Sequence, residues 1–214
     1  MTNPDDPKTL RIGTRGSPLA LAQANETRAL IEAAHGDPTP LGTTEIVEIK
    51  TTGDIVLDRP LADIGGKGLF SKEIDTALLD RRIDLAVHSM KDLETWMPDG
   101  IVIAAVLERE DTRDAFISEK YAALFDLPEG AVVGTASVRR QAQILHRRPD
   151  LKCVVFRGNV QTRLGKLADG LADATILACA GLSRLGRTEV VTQALDPGEM
   201  LPAVAQGAVA ITCR

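Results

Sequence analysis

Ten basic residues and only three acidic ones lie between Arg139 and Arg187, in a 214-residue chain whose formal net charge is −5. That segment carries about +7, so the remainder sums to about −12. A basic segment on an otherwise acidic chain implies a specific anionic ligand rather than general attraction to polyanions. Its arginines stand in Ser137-Val138-Arg139-Arg140, Phe156-Arg157-Gly158-Asn159, Thr162-Arg163 and Ser183-Arg184. Each is flanked by Gly, Ser, Thr or Asn, which set backbone N–H groups and hydroxyls beside a guanidinium. Arginine grips carboxylates bidentately, so several such forks point to a small molecule with several carboxylates or phosphates. The competing reading is a solvated helix face, and His146-Arg147-Arg148-Pro149-Asp150 reads as that, a charged helix end before a proline.

A second constellation is His88-Ser89-Met90-Lys91-Asp92, which follows the apolar run Leu85-Ala86-Val87. Polar groups leaving the carboxyl end of a buried strand are where α/β sites form. In surroundings rich in arginine, Asp92 is suited to accept a proton or stabilise a developing cation. His88 fits a buried, hydrogen-bonded strand residue better than a catalyst. Gly65-Gly66-Lys67-Gly68 lacks the spacing and the following Ser/Thr of a P-loop; it reads as a loop offering Lys67 to an anion.

The elements that must carry these residues alternate strand and helix. Leu10–Thr14 reads as a strand, followed by a helix capped by Ser17, with Pro18 at its first position, running to about Ala34. Glu45–Ile49 alternates like a half-buried strand. Thr51–Gly68 is long, polar and irregular, the pattern of a functional loop. An amphipathic helix spans Phe70–Arg81, Leu85–Val87 is a strand, Ile101–Leu107 another, and charged Glu108–Asp114 a linker. The alternation then restarts: strand Ala131–Val133, a helix to about Arg147, strand Lys152–Phe156, helix Val160–Ala168, strand Ala174–Ala178 and a last strand-like run, Gly207–Cys213. Gly13-Thr14-Arg15-Gly16-Ser17 and Gly134-Thr135-Ala136-Ser137 occupy the same strand-to-helix position in the two halves. The expected class is therefore α/β, with two similar domains, mixed sheets flanked by helices and a cleft between them. Residues 1–108 with 207–214 form the first domain and 112–201 the second.

Composition narrows the function. Apolar residues make up 44% and charged residues 26%, as in an ordinary globular chain, while aromatics are 3%, too few for the stacking platforms of single-stranded nucleic-acid binders. No apolar run approaches the length of a membrane span and the N-terminus has no signal-like core, so neither nucleic acid nor membrane is an expected partner. Cys153, Cys179 and Cys213 are odd in number and far apart, the first two in apolar strand-like runs; they read as reduced thiols of a cytoplasmic protein. No metal site is expected.

The motifs Arg11-Ile12-Gly13-Thr14-Arg15-Gly16-Ser17-Pro18-Leu19-Ala20-Leu21, Gly66-Lys67-Gly68-Leu69-Phe70, Asp84 through Asp92, Ser137-Val138-Arg139-Arg140-Gln141, Arg157 through Arg163 and Leu201 through Ala208 together resemble the porphobilinogen deaminase (hydroxymethylbilane synthase) family, in order and over essentially the whole chain. The resemblance implies porphyrin and heme biosynthesis: deamination of porphobilinogen and head-to-tail coupling of four units into hydroxymethylbilane, on a dipyrromethane cofactor held by a thioether. It implies Asp92 as the catalytic aspartate. It also implies Arg15, Lys67, Ser89, Lys91, Thr135, Ser137, Arg139, Arg140, Arg157, Gly158, Asn159, Arg163 and Arg184 as residues that hold substrate and cofactor. Departures from the family pattern include Asp63 in the loop, Leu93-Glu94 after the aspartate and Ala205. The family's third domain, with its Gly-Gly-Cys attachment cysteine, is not represented in these residues, and none of the three cysteines stands in that setting. The expectation is a transferase acting as a monomer when complete. The alternatives are an inactive fragment and a non-catalytic two-domain polycarboxylate-binding protein.

Overall fold

The computed structural model describes residues 9–36, 38–39, 42–55 and 68–214. They divide into two compact units. One contains the described residues up to 108 together with Ala208–Arg214, and the other contains Arg109–Gly207.

In the first unit, β1 (Thr9–Thr14) leads into α1 (Pro18–His35), then β2 (Thr43–Glu48), a single turn α2 (Thr52–Ile55) and α3 (Lys72–Leu79). β3 (Leu85–Ser89) follows, with a 3₁₀ turn at Met90–Asp92, and then β4 (Val102–Val106). The second unit holds β5 (Asp114–Ile117), β6 (Val132–Gly134), α4 (Val138–Arg147), β7 (Lys152–Val154), α5 (Val160–Ala168), β8 (Ala174–Ala178), α6 (Cys179–Arg184) and β9 (Gln193–Ala194). The chain then returns to the first unit with β10 (Val209–Cys213).

Both sheets have five strands and the same plan. The orders are β2-β1-β3-β10-β4 and β7-β6-β8-β5-β9. In each, the first three strands are parallel and the fourth is antiparallel to both neighbours. That fourth strand begins in each case within a few residues of a crossing between the units.

Alternation along the strands fills both faces of each sheet. Ala86 joins Ile74, Leu78, Ile83 and Ile101 on one side of the first sheet, while Ile12, Val87, Val209 and Ile211 pack with Ala24 of α1 on the other. In the second sheet, Phe116, Val133 and Ile176 pack with Ile144 and Met200, whereas Ala115, Ile117 and Leu177 pack with Leu167 and Leu182.

The repeated Gly-Thr turn has one physical basis in both units. A Cβ at Gly13 would meet Ile83 Cδ1 at 2.2 Å, and one at Gly134 would meet the Phe156 ring at 2.4 Å. Each glycine admits a large apolar residue against the strand end, and the threonine beside it is buried, Thr14 fully and Thr135 nearly so.

Several expectations are corrected. The linker Glu108–Asp114 ends inside the structure proper: Asp114 is the first residue of β5 and has no exposed surface. Charge made it look like a connection, but the acid is paired internally. Cys179 does not lie in a strand but opens α6. The strand expected over Lys152–Phe156 stops at Val154, and the helix expected over Phe70–Arg81 is shorter, Lys72–Leu79, with Ser71 at its N-cap making no side-chain capping bond. Of the expected loop Thr51–Gly68, Thr52–Ile55 is a helical turn, and residues 56–67, with Lys67 and Asp63, lie outside the described residues.

Candidate functional site

In the first unit, parallel neighbours β1 and β3 end side by side, and Arg15, Ser89, Lys91 and Asp92 emerge there. Ser17 caps α1, its hydroxyl accepting from Ala20 N at 3.3 Å. Ser89 is held by Gln23 of α1, whose Nε2 donates to Ser89 Oγ at 3.0 Å. Asp92 closes the 3₁₀ turn with its side chain exposed, as is Lys91. With Phe70, Glu94 and Trp96, Asp92 lines an open groove of about 440 Å³.

Arg15 is fixed on two sides. Its Nε donates to Asp54 at 3.1 Å and Nη2 also binds that carboxylate, while the guanidinium lies 4.2 Å from the Phe70 ring centre. Thr51 Oγ1 donates to the same carboxylate at 2.8 Å. Burial works to raise the Asp54 pKa, but the bonds from Arg15 and Thr51 and the charge of Arg15 outweigh it, so Asp54 is held below its ordinary value. His88, one residue before Ser89, is buried with Nε2 3.1 Å from Thr212 Oγ1. Burial, helped by the charge of Arg15, pushes its pKa down to about 4. A neutral, inward imidazole suits a strand residue and not a proton carrier at neutral pH.

In the second unit, the adjacent parallel strands β6 and β7 end next to two helix N-termini. Ser137 caps α4, its Oγ accepting from Arg140 N at 3.4 Å, and Thr135 Oγ1 accepts from Ser137 N at 3.1 Å. Asn159 caps α5 more tightly, Oδ1 accepting from Thr162 N at 2.8 Å and from Thr162 Oγ1 at 2.9 Å. Arg163 Nε donates to Gly158 O at 2.9 Å, which fastens the helix to the turn before it. Arg157 is buried, and Lys166 Nζ donates to its carbonyl at 3.0 Å. Helix N-termini with arginines beside them form an anion-binding edge.

The two arginines in the first turn of α4 converge on one carboxylate, and it belongs to the protein. Arg139 Nη2 and Arg140 Nη2 each lie 2.7 Å from a different oxygen of Asp114. Arg140 Nη1 also donates to Ile176 O at 2.8 Å, and Arg139 Nη1 to Leu201 O. Gln206 Nε2 donates to Asp114 Oδ1 at 2.9 Å. Desolvation would raise the Asp114 pKa, yet the charge and hydrogen bond of Arg140, with Gln206 and Arg139, hold it below its ordinary value. Arg184, at the end of α6, reaches the segments where the chain enters and leaves this unit: its Nη1 donates to Gly207 O at 3.2 Å, and Ser183 Oγ to Glu110 at 2.8 Å.

Sequence reasoning missed Asp114, Gln206, Asp54 and Phe70. Asp114, Asp54 and Phe70 act on an arginine, and Gln206 acts on Asp114, rather than presenting chemistry themselves. For Asp114 a signal existed: it is the lone acid heading the apolar run Asp114-Ala115-Phe116-Ile117.

Comparison with known proteins adds ancestry to this geometry. The family model described as "Porphobilinogen deaminase, dipyromethane cofactor binding domain" matches residues 10–214. The chain is 62% identical over 205 residues to the chloroplastic porphobilinogen deaminase of Oryza sativa subsp. japonica, an alignment covering 96% of this chain and 57% of the relative. It is 61% identical over 211 residues to the porphobilinogen deaminase of Paracoccus denitrificans, covering 99% and 67%. The chain thus spans between 57% and 67% of the length of these two relatives. Among solved structures, a putative methionine-binding lipoprotein of Bacillus subtilis aligns with a TM-score of 0.55 at 14% identity, over 97% of this chain and 83% of that one. A periplasmic substrate-binding protein of an ABC transporter from Coxiella burnetii gives 0.55 at 13%, over 96% and 84%. At such identities the likeness is one of fold.

Proposed function

The chain belongs to the porphobilinogen deaminase family, and from that premise we propose that it carries the catalytic residues that deaminate porphobilinogen and join four units head to tail into hydroxymethylbilane, with release of ammonia. The observation that carries the proposal is the setting of Asp92, an exposed carboxylate at the end of β3 in a groove with Phe70 and Trp96. Loss of ammonia from an aminomethylpyrrole leaves a cation conjugated with the ring nitrogen. A carboxylate facing that nitrogen accepts its N–H and offsets the charge as it develops. Arg15, Ser89 and Lys91, which leave the same sheet edge, hold the acetate and propionate groups of the substrate.

The second unit suits a dipyrromethane. Such a group carries several carboxylates, and two capped helix N-termini with Arg139, Arg157 and Arg163 supply matching donors, with Thr135, Ser137, Gly158 and Asn159 at the turns. One carboxylate, Asp114, faces both Arg139 and Arg140 and leaves one positive charge over. When bound, the cofactor supplies the pyrrole end to which incoming units are joined. Its attachment is not assigned to Cys153 or Cys179, because burial raises the pKa of both thiols, that of Cys179 to about 11. Lys67 and Arg184 complete the set by family likeness.

A cytoplasmic enzyme is the accompanying reading. The three cysteines are free thiols, and no helix among the described residues is long and apolar enough to cross a membrane. Porphobilinogen is the small-molecule partner, and the completed protein acts as a monomer. The receptor alternative gains nothing from the substrate-binding neighbours, which share fold alone. Calorimetry of this chain with porphobilinogen tests the proposal, together with ammonia release by a chain completed with the portion of the Paracoccus relative that it does not cover. Binding and release are expected; a completed chain that folds but neither binds nor deaminates porphobilinogen would end the reading.

A further inference from the structure

We infer that Asp114 is a positioning residue: it holds the Arg139 guanidinium in place to receive a ligand carboxylate, with Arg140 as the buried strut of the same device. The inference rests on the ligand class proposed above and assigns roles that the arginine motif alone does not distinguish.

Burial and charge separate the two arginines. The Arg140 side chain is 6% exposed and that of Arg139 24%, against none for Asp114. Arg140 is spent inside the protein, on Asp114 and on the Ile176 carbonyl of β8, with its Nε left buried and unbonded. Two guanidiniums facing one carboxylate leave a single positive charge in excess, and solvent reaches the trio chiefly through Arg139. The excess is therefore available at Arg139, beside the N-terminus of α4, where the helix dipole adds to it.

Asp114 itself is over-determined. It heads β5, whose register pairs it with Ala178 of β8, and Gln206 Nε2 bridges its Oδ1 to the carbonyl of Thr112 at 2.9 and 2.8 Å. A carboxylate locked in this way, together with the Leu201 carbonyl that Arg139 Nη1 meets, fixes a guanidinium that would otherwise sample many rotamers. Ordering such a side chain before the ligand arrives removes a cost from binding.

The experiment uses this 214-residue chain, with porphobilinogen and citrate as separate probes in calorimetry and arginine side-chain ¹⁵N spectra as an independent readout. In the wild type, the Nη groups of Arg139 are expected to rotate slowly. In Asp114→Asn they are expected to average, with probe affinity down at least about tenfold, as loss of a pre-ordered charged contact implies. Asp114→Asn strands the Arg140 charge in the interior and so endangers folding; the paired variant Asp114→Asn/Arg140→Gln, which removes both buried charges, therefore carries the same expectation. Adding Arg139→Leu should cost far less in that background than in the wild type. Wild-type affinity in the paired variant, an equal Arg139→Leu cost in both backgrounds, or unchanged Arg139 spectra would overturn the inference, as would a wild type that binds neither probe. A wild type that binds citrate but not porphobilinogen would instead overturn the proposed substrate, while the variants still decide the role of Asp114.

Discussion

Asp114 and Arg140 meet at 2.7 Å with the carboxylate fully buried and the guanidinium side chain 6% exposed. Neither can be removed alone without leaving its partner charged in a dry interior, which is costly in a way that loss of a surface ion pair is not. The pair couples the first strand of the second unit to the first turn of the helix that presents Arg139. The proposed anion-binding edge and the buried interior of the second unit thus share one carboxylate.

Asp92→Asn is expected to lower turnover far more than binding. The substitution keeps the shape of the side chain and removes the charge that offsets a developing cation, an effect on the order of a hundredfold or more in rate. Steady-state kinetics on the completed chain read it. Turnover within threefold of the unsubstituted enzyme would reduce Asp92 to a structural residue.

Stability should fall on mild acidification because of His88. Its pKa is about 4 in the folded protein, against an ordinary 6.5, so the unfolded chain takes up the proton first as pH drops. The neutral form favours folding above pH 6.5, and that contribution is lost between about pH 6.5 and 4, roughly 3 kcal/mol in all. Asp54 and Asp114, held below the usual carboxylate value, lose their contributions only at lower pH still. Denaturant midpoints at pH 7.5 and 5 measure the slope, which His88→Gln should flatten. An unchanged slope in that variant would place the sensitivity elsewhere.

Gly207→Ala should destabilise the chain by at least about 2 kcal/mol. Gly207 has φ of +90°, and a Cβ there would stand 2.3 Å from the Glu110 carbonyl oxygen, a backbone atom with no room to retreat. Chemical denaturation reads the loss; a midpoint equal to wild type would mean that the two crossings separate freely.

Incubation with porphobilinogen should leave Cys153 and Cys179 unmodified. Their thiols are pushed up by burial, Cys179 to about 11, and so are poor nucleophiles at neutral pH. Intact-mass spectrometry gives the answer. An added mass of two pyrrole units that disappears in Cys153→Ser or Cys179→Ser would contradict the expectation.

Much of the architecture was legible because it rests on local pattern. Val160–Ala168 and Ala174–Ala178 occupy the spans read from their periodicity, and the paired Gly-Thr turns mark the same strand-to-helix step in both units. The two mixed sheets follow from that alternation. What pattern does not carry is pairing at long range. Asp114 sits among charged neighbours in sequence, and only the fold brings it against Arg139 and Arg140, 25 and 26 residues away. Asp54 was hidden in the same way, in a polar stretch, and only the fold brings its carboxylate to Arg15, 39 residues away. The arginine motifs suggested an anion site; which guanidinium faces outward is decided by burial, which residue spacing does not encode.

The placement of β10 sets an order of events during synthesis. Val209–Cys213 fills the slot between β3 and β4, so β4 cannot join its sheet until Val209–Cys213 has been made. The second unit, continuous from Arg109 to Gly207, is by then fully translated. A chain growing from its N-terminus therefore completes the inserted unit first and seals the surrounding one afterwards. Of the two units, the one whose strands emerge first is the one sealed second, and until then its β3 edge stays open to pairing with other chains.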